Sequence, residues 1–161
     1  MATDTTQDTA ARMESDVNWA AGGLAGLIAG IPFGLLIQFV VGAMGAMGAL
    51  WGFPMNIGAG WVIHLVNSIV FGLVFAWILS WSSLSRFRAQ WLWGIAAGIV
   101  YAVVLWFIFI GFVWPTWLGA VGFPPGPNAL PVPYFAMKPL VGHLVYGVVL
   151  GAFYPPLRSR V

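Results

Sequence analysis

Four long apolar segments dominate the pattern of hydrophobic and polar positions along the chain. They run from about Trp19 to Val41, from Ala59 to Trp81, from Trp91 to Trp114 and from Met137 to about Tyr154. Each is close to the roughly 20 residues that a helix needs to cross a hydrocarbon core about 30 Å thick. The pattern therefore predicts an all-α integral membrane protein with four transmembrane helices, which we call spans 1 to 4.

The far end of span 1 has two readings. The chain stays apolar past Val41 as far as Leu50. A helix from Trp19 to Leu50 would be roughly 46 Å long at 1.5 Å per residue, well beyond the hydrocarbon core. Either Pro32 kinks and tilts this helix, or the stretch GAMGAMGALWG (42–52) leaves it near the membrane surface.

Polar and Pro-rich stretches divide the chain. Residues 1–18 contain all four acidic residues, and we expect them to form a mobile cytoplasmic tail. Residues 19–157 form a single four-span domain, and residues 158–161 are a short basic cytoplasmic end. The connection PTWLGAVGFPPGPNALPVPYFAMKP (115–139) is rich in Pro and Gly, so it predicts a non-helical cap over the ends of the helices.

Composition narrows the class of protein and of partner. Hydrophobic residues make up 61% of the chain and charged residues 6%, whereas a soluble domain carries about 25% charged residues. The absence of cysteine excludes disulfides and thiolate metal sites. Six basic residues and a net charge of +2 are too few for a nucleic-acid surface, so the expected partner is the lipid bilayer.

The basic residues predict the orientation of the chain. Arg86 and Arg88 lie between spans 2 and 3, Arg158 and Arg160 follow span 4, and Lys138 lies on the other side. Because cytoplasmic loops carry an excess of Arg and Lys, this asymmetry predicts a multi-pass protein of the cell (inner) membrane with both termini in the cytoplasm.

The second and fourth spans resemble each other, which indicates an internal repeat. HLVNSIVFGLVF (64–75) aligns with HLVYGVVLGAFY (143–154), and GLAGLIAG (23–30) with GIAAGIVY (94–101). The bundle is thus predicted to consist of two parallel-repeat helical hairpins, about 19–81 and about 91–157. This predicts that His64 and His143 lie at one depth, roughly 8 Å from the outer starts of their helices.

Glycines form ladders on the first helix of each hairpin. Span 1 carries Gly22, Gly26, Gly30 and Gly34, and span 3 carries Gly94 and Gly98. Small residues four apart let helix backbones approach closely in a membrane. These Gly-rich faces predict tight packing within the bundle, self-association or contact with a larger membrane complex.

Helical spacing predicts that both histidines face the interior of the bundle. Asn67 and Ser68 share the face of His64, and Tyr146 shares the face of His143. Gln38 on span 1 is expected near the same depth and within reach of a histidine. These side chains are the candidate site, with the histidines as ligands and the other four as their supports.

Three functions fit this arrangement. The histidines could be interhelical hydrogen-bonding groups in a non-enzymatic packing or accessory subunit of a membrane complex, which is the preferred hypothesis. They could instead be the two axial ligands of a b-type haem, or bind another metal, in an electron-transfer protein. A small pore or transporter is the third hypothesis. No catalytic triad, phosphate loop or pair of carboxylates indicates an enzyme.

The two histidine helices also carry a family resemblance. GWVIHLVNSIVFG (60–72) and GHLVYGVVLGAFY (142–154) resemble the G-x-x-x-H-L-V helix and the closing GHLVYGxVLGxxY helix of an uncharacterised prokaryotic family of small four-helix membrane proteins. The resemblance covers most of residues 19–155. It implies a four-helix membrane fold and a matched pair of histidines, and it implies no particular activity.

Overall fold

A computed structural model describes residues 17–124 and 129–161 of the chain. Its four long helices are span 1, Trp19–Val41; span 2, Ile57–Leu79; span 3, Trp91–Ala120; and span 4, Met137–Arg158. All four are long and apolar enough to cross a membrane, and the described part of the chain contains no strand. The predicted all-α four-helix membrane bundle is therefore confirmed. Most of the predicted polar tail, residues 1–16, lies outside the described residues.

Short helices join the spans at the two ends of the bundle. Met44–Ala49 lies between spans 1 and 2, and a 3₁₀ turn (Ser82–Leu84) followed by a helix (Ser85–Ala89) lies between spans 2 and 3. The side chain of Asn18 donates a hydrogen bond to the backbone carbonyl of Val161 at 2.7 Å, so the start of span 1 lies beside the last residue of the chain. We call that end the terminal end. The opposite end, which carries residues 42–56, 121–124 and 129–136, is the distal end. We call residues 121–124 and 129–136, between spans 3 and 4, the distal connection.

Asparagine side chains begin two of the spans. Asn18 Oδ1 accepts a hydrogen bond from the Ala21 N–H at 2.9 Å, and Asn56 Oδ1 accepts one from the Ala59 N–H at 2.9 Å. Each bond satisfies one of the N–H groups that the first turn of a helix leaves without a partner. Span 2 therefore begins at Ile57, slightly before the first residue that hydropathy alone indicates.

Span 1 ends at Val41, which decides between the two readings of its far end. Its last five residues, Ile37–Val41, form a π-helical turn. Gly42 then adopts a left-handed conformation with φ of 74°, and the Ala43 N–H donates to the Ile37 carbonyl at 3.0 Å. Because this conformation suits glycine, the chain leaves the helix here and starts the short helix Met44–Ala49.

Span 3 extends further than its hydropathy predicts. It is α-helical over Trp91–Leu105, π-helical over Trp106–Val113 and α-helical again over Trp114–Ala120. The expectation that the connection is non-helical from Pro115 onwards was therefore wrong. Pro115 has no N–H to donate to the carbonyl four residues earlier, that of Gly111. That carbonyl instead accepts a hydrogen bond from the Tyr134 N–H at 2.9 Å, which ties the distal connection to span 3.

Glycines hold the helices of each hairpin in close backbone contact. A Cβ at Gly26 would meet the Ser68 carbonyl oxygen and lie 3.0 Å from Gly72 Cα. A Cβ at Gly98 would meet the Gly147 oxygen and lie 3.1 Å from Gly151 N. The predicted Gly-rich faces are thus used within the chain, where all six glycines of the ladders are buried. They are not available as association surfaces.

The four spans close into a ring with one loosely packed side. The backbones of spans 1 and 2, spans 3 and 4, and spans 1 and 4 pack closely. Spans 2 and 3 meet through side chains, as in the edge-to-face contact of Phe71 with Phe109 at 4.7 Å between ring centroids. Large buried side chains fill the terminal half of the ring, namely Phe75, Leu79, Leu150 and Tyr154. The distal half is packed less completely.

Candidate functional site

A cavity of about 400 Å³ occupies the distal half of the bundle. All four spans line it, together with the short helix Met44–Ala49 and parts of the distal connection. Five of the six residues predicted for the site lie in its wall: His64, His143, Asn67, Ser68 and Tyr146. The rest of the wall is mostly apolar and aromatic, and none of the described lining residues carries a formal charge.

His64 is buried and bonded across the interface of spans 1 and 2. Its Nε2 lies 2.8 Å from the Gly30 carbonyl oxygen. A carbonyl only accepts hydrogen bonds, so Nε2 carries the proton of the neutral ring and Nδ1 keeps the lone pair. No further hydrogen bond to this imidazole occurs among the described residues.

His143 is buried on span 4, but its hydrogen bond stays within its own helix. Its Nδ1 lies 2.8 Å from the Pro139 carbonyl oxygen, one turn earlier. The same reasoning assigns the proton to Nδ1 and leaves Nε2 as an acceptor. The two histidines thus face one cavity, as predicted, but they use opposite ring nitrogens and bond to different elements.

Phe33 of span 1 links the two imidazoles. Its ring lies edge-on to His64 at 5.1 Å and to His143 at 4.7 Å between centroids, and it also contacts Tyr146 at 6.0 Å. Gly142 makes room for it, because a Cβ at that position would meet the Phe33 ring. Both histidine rings therefore contact the same aromatic side chain.

Hydrogen bonds on the terminal side of the histidines connect span 2 to the second hairpin, spans 3 and 4. Tyr146 donates to the Ser68 carbonyl at 2.7 Å, and the Ser68 hydroxyl donates to the His64 carbonyl at 2.8 Å. Tyr101 of span 3 donates to the Phe71 carbonyl at 2.9 Å. The Asn67 carboxamide, in contrast, makes no hydrogen bond to the described residues, although it lines the cavity.

Gln38 does not reach either histidine. It lies in the π-helical turn of span 1, where its Oε1 accepts a hydrogen bond from Trp61 Nε1 at 2.5 Å. The Trp61 ring in turn lies edge-on to His64 at 6.1 Å. The predicted hydrogen bond from Gln38 to a histidine is therefore replaced by an indirect contact through an indole.

Sequence reasoning missed several residues that shape the cavity. Phe33 lies inside the glycine ladder of span 1, where apolar periodicity gives no sign that it differs from its neighbours. Ala46 comes from the short helix, and Phe109 and Val113 come from the π-helical segment of span 3. A π-helical segment changes which side chains face inward, and such segments often occur at functional sites, but hydropathy does not reveal them.

The residues do not fit a bis-histidine haem or metal site as they are arranged. His64 Nε2 is engaged with the Gly30 carbonyl, and Phe33 packs against both imidazoles where a shared ligand would have to lie close to each. Within residues 17–124 and 129–161, no three His, Cys, Asp or Glu side chains group together for a metal ion. The expectation of a b-type haem is not supported by this geometry.

Comparisons with known protein families, with curated proteins and with solved structures find no match to this chain. The resemblance of the two histidine helices to a family of small prokaryotic membrane proteins therefore stays a prediction. What the cavity can bind has to be derived from its own geometry.

The two histidines are expected to differ in their effect on stability. His64→Leu removes a hydrogen bond between helices, so it should lower the free energy of unfolding by about 0.6 kcal/mol, the average for such bonds in a membrane protein. His143→Leu removes a bond within one helix and should leave the stability nearly unchanged. Both variants lose a contact with Phe33, so each is the other's control. Equal losses, measured by reversible unfolding in mixed micelles, would contradict the assigned bonds.

Proposed function

We propose that this protein is a non-enzymatic membrane protein that binds a small, neutral and largely apolar molecule in the distal half of its bundle. The observation that carries the proposal is the cavity of about 400 Å³, which has apolar walls and two histidines and an asparagine among its lining. Binding sites for small molecules have volumes of about 300 to 1,000 Å³ and combine apolar walls with a few polar groups.

The polar lining favours a neutral occupant. An ion in a membrane interior needs a counter-charge or an aqueous path, because burying an unpaired charge costs several kcal/mol or more. Neither Lys, Arg, Asp nor Glu is among the described residues of the wall. The packed side chains of the terminal half, Phe75 and Tyr154 among them, also separate the cavity from the terminal end, which favours a binding site over a continuous pore.

The orientation that we propose puts the terminal end in the cytoplasm and the cavity in the outer half of the cell (inner) membrane. Its support is the arginines of the terminal end, Arg86, Arg88, Arg158 and Arg160, against Lys138 at the distal end. Attachment of a reporter enzyme to either terminus of the intact chain would test this proposal.

An internal duplication is part of the same proposal. The alignment that sets His64 over His143 also sets Ser68 over Gly147 and Gly72 over Gly151. These are the residues that contact Gly26 and Gly98 in the two hairpins. The contacts pair Gly26 with Gly98, whereas the alignment of 23–30 with 94–101 pairs Gly26 with Ala97, one residue earlier. Matched contacts of this kind are expected of two copies of one hairpin.

A role as accessory subunit of a larger complex stays a prediction. The Gly-rich faces suggested for such contacts are buried inside the bundle. A partner would therefore have to use another surface, such as the lipid-facing side chains of the spans.

Filling the cavity should abolish binding. Ala46 lines the cavity from the short helix, so Ala46→Phe introduces a ring into the space that the ligand needs. We expect the wild-type protein, purified in mild detergent, to retain a neutral apolar molecule in stoichiometric amount and the variant to lose it. Mass spectrometry of an organic extract measures the retained molecule.

Ala120→Phe is the matched control, because Ala120 is exposed at the end of span 3 and does not line the cavity. It should retain the molecule as the wild type does. The absence of any enriched molecule in the wild-type extract, or equal retention by Ala46→Phe, would overturn the proposed function.

A further inference from the structure

We infer that the ligand is a neutral lipid with a hydroxyl head group and that it enters the cavity sideways from the membrane, between spans 2 and 3. This inference rests on the proposed function and adds to it a ligand class and an entry route. The ligand class is inferred from the hydrogen-bonding groups of the cavity wall. The entry route is inferred from the uneven packing of the ring of helices.

The cavity offers acceptors to its ligand. The hydrogen bonds to the Gly30 and Pro139 carbonyls leave His64 Nδ1 and His143 Nε2 with lone pairs and no described partner. Asn67 adds an amide oxygen and an amide NH₂ without a described partner. A ligand that hydrogen-bonds to either imidazole acceptor must bring a donor, and a hydroxyl, which donates one hydrogen bond, is the smallest neutral donor that a lipid head group can carry.

The depth of these groups selects a small head group. His64 lies about 10 Å beyond the first residue of span 2, at 1.5 Å per residue, and is therefore within the apolar zone. A phosphate or another charged head group would lose its hydration there without gaining a cation, because no described lining residue is cationic. The apolar and aromatic remainder of the wall then accommodates an alkyl or isoprenoid chain.

The loosely packed side of the ring provides the route. The backbones of the helices pack closely on the other three sides, through glycine contacts in the two hairpins, whereas side chains close the side between spans 2 and 3. The cavity wall reaches this side through Asn67 and Phe71 on span 2 and Phe109 and Ile110 on span 3. The Phe71 and Phe109 rings meet edge-on at 4.7 Å, so rotation of these two side chains opens the wall to lipid.

Span 3 is π-helical at this point, over Trp106–Val113. A π-helical turn is wider than an α-helical one, so the backbone around Phe109 lacks the regular hydrogen bonds of an α-helix. Two contacts with the distal connection hold another side of the same segment in place. The Tyr134 N–H donates to the Gly111 carbonyl, and the Phe135 ring stacks on Phe107 at 5.3 Å between centroids. The segment therefore has an anchored side and a side that can open.

The first experiment tests the ligand class. The full chain is reconstituted in phosphatidylcholine vesicles and photolabelled with 1-dodecanol that carries a mid-chain diazirine. Labelled residues are located by tandem mass spectrometry. We expect labels on cavity residues such as Phe109, Val113 and Leu118. Unmodified 1-dodecanol should compete about tenfold better than dodecyl methyl ether, which lacks the O–H donor.

The outcomes separate this inference from the proposed function. Equal competition by the alcohol and the ether would leave the cavity as a binding site but overturn the hydroxyl head group. Labels restricted to the lipid-facing side chains, for every probe, would overturn the cavity as a binding site as well. Label that Asn67→Leu weakens, while Val66→Leu on the exposed face does not, would support the polar contact.

The second experiment tests the route. The natural chain has no cysteine, so Phe71→Cys/Phe109→Cys can be joined by a short bis-maleimide without side reactions at other thiols. Cross-linking before addition of the probe should abolish cavity labelling, whereas the uncross-linked double variant should still be labelled. Undiminished labelling after complete cross-linking would overturn the route between spans 2 and 3.

A single substitution guards against failure of the double variant to fold. Phe109→Ala removes one ring of the closing pair, so probe exchange should become several-fold faster than in the wild type. Ile108→Ala is the control, because Ile108 lies in the same π-helical segment but is exposed and does not line the cavity. Unchanged exchange in Phe109→Ala, or an equal acceleration in Ile108→Ala, would count against the route.

Discussion

Gly26→Ala should lower the free energy of unfolding by about 2 kcal/mol, as expected when an atom is forced into a closely packed contact. The new methyl group would meet the Ser68 carbonyl oxygen and lie 3.0 Å from Gly72 Cα and 3.2 Å from Gly72 N. All three atoms belong to the backbone of span 2, so no side chain can rotate away. Spans 1 and 2 would have to separate, and the dispersion contacts along their whole interface would weaken.

Gly23→Ala is a matched control on the same helix. Its methyl group would lie 3.6 Å from Leu73 Cδ2 and 3.7 Å from Ile69 Cγ2, which are ordinary van der Waals distances to flexible side chains. We expect this variant to be as stable as the wild type or up to about 1 kcal/mol more stable, because alanine loses less backbone entropy in a helix. Reversible unfolding in mixed micelles, followed by far-ultraviolet circular dichroism, measures both. Equal losses in the two variants would contradict the close contact.

Gly60→Ala should release the short helix Met44–Ala49 from the bundle without unfolding the spans. A Cβ at Gly60 would meet the Met44 carbonyl oxygen and lie 3.0 Å from the Met44 carbonyl carbon. Because the clash is with backbone, the short helix has to move as a unit. That helix contributes Ala46 and Met47 to the wall of the cavity, so we also expect the retained ligand to be lost.

Hydrogen exchange detected by mass spectrometry measures this effect locally. Amides of residues 44–50 should exchange faster in Gly60→Ala, while those of the spans keep their protection. Gly58→Ala is the control on the same helix, because its Cβ would approach only Asn56 Oδ1, at 3.4 Å. Unchanged exchange of residues 44–50 in Gly60→Ala would refute the docking role of Gly60. Global loss of protection would refute the local character of the change.

The predictable part of the fold is the part that depends on local pattern. Span 1 was correctly marked from Trp19 to Val41 because an apolar run has to match the thickness of a membrane whatever its neighbours are. The burial of Gly26 and Gly98 follows from helical spacing, since small residues on one face favour close approach. The length of span 3 was predicted too short, because the local pattern marks Pro115 as the end of the helix. The hydrogen bond from the Tyr134 N–H, which satisfies the carbonyl that Pro115 leaves without a partner, is non-local and does not show in that pattern.

The candidate site was predictable only as a set of residues. Helical phase correctly directed His64, His143, Asn67, Ser68 and Tyr146 towards one interior space. It could not predict that Phe33 would contact both imidazoles, because that contact depends on how spans 1 and 4 pack. The alignment of the two histidines suggested equal roles, yet one bonds across an interface and the other within its own helix.

By itself, the sequence determined that this chain has four segments long and apolar enough to cross a membrane, because this property follows from hydropathy along a single segment. It also determined which helix faces are lined with glycine and that two histidines point inward, because these properties follow from the helical period. Only the tertiary structure decided that the inward face lines a cavity and that Phe33 contacts both imidazoles there. The cavity exists because Phe33, Ala46 and Phe109, which are far apart in the chain, line one space without filling it. The hydrogen-bonding character of that space depends on the Gly30 and Pro139 carbonyls, which select the ring nitrogens left to accept.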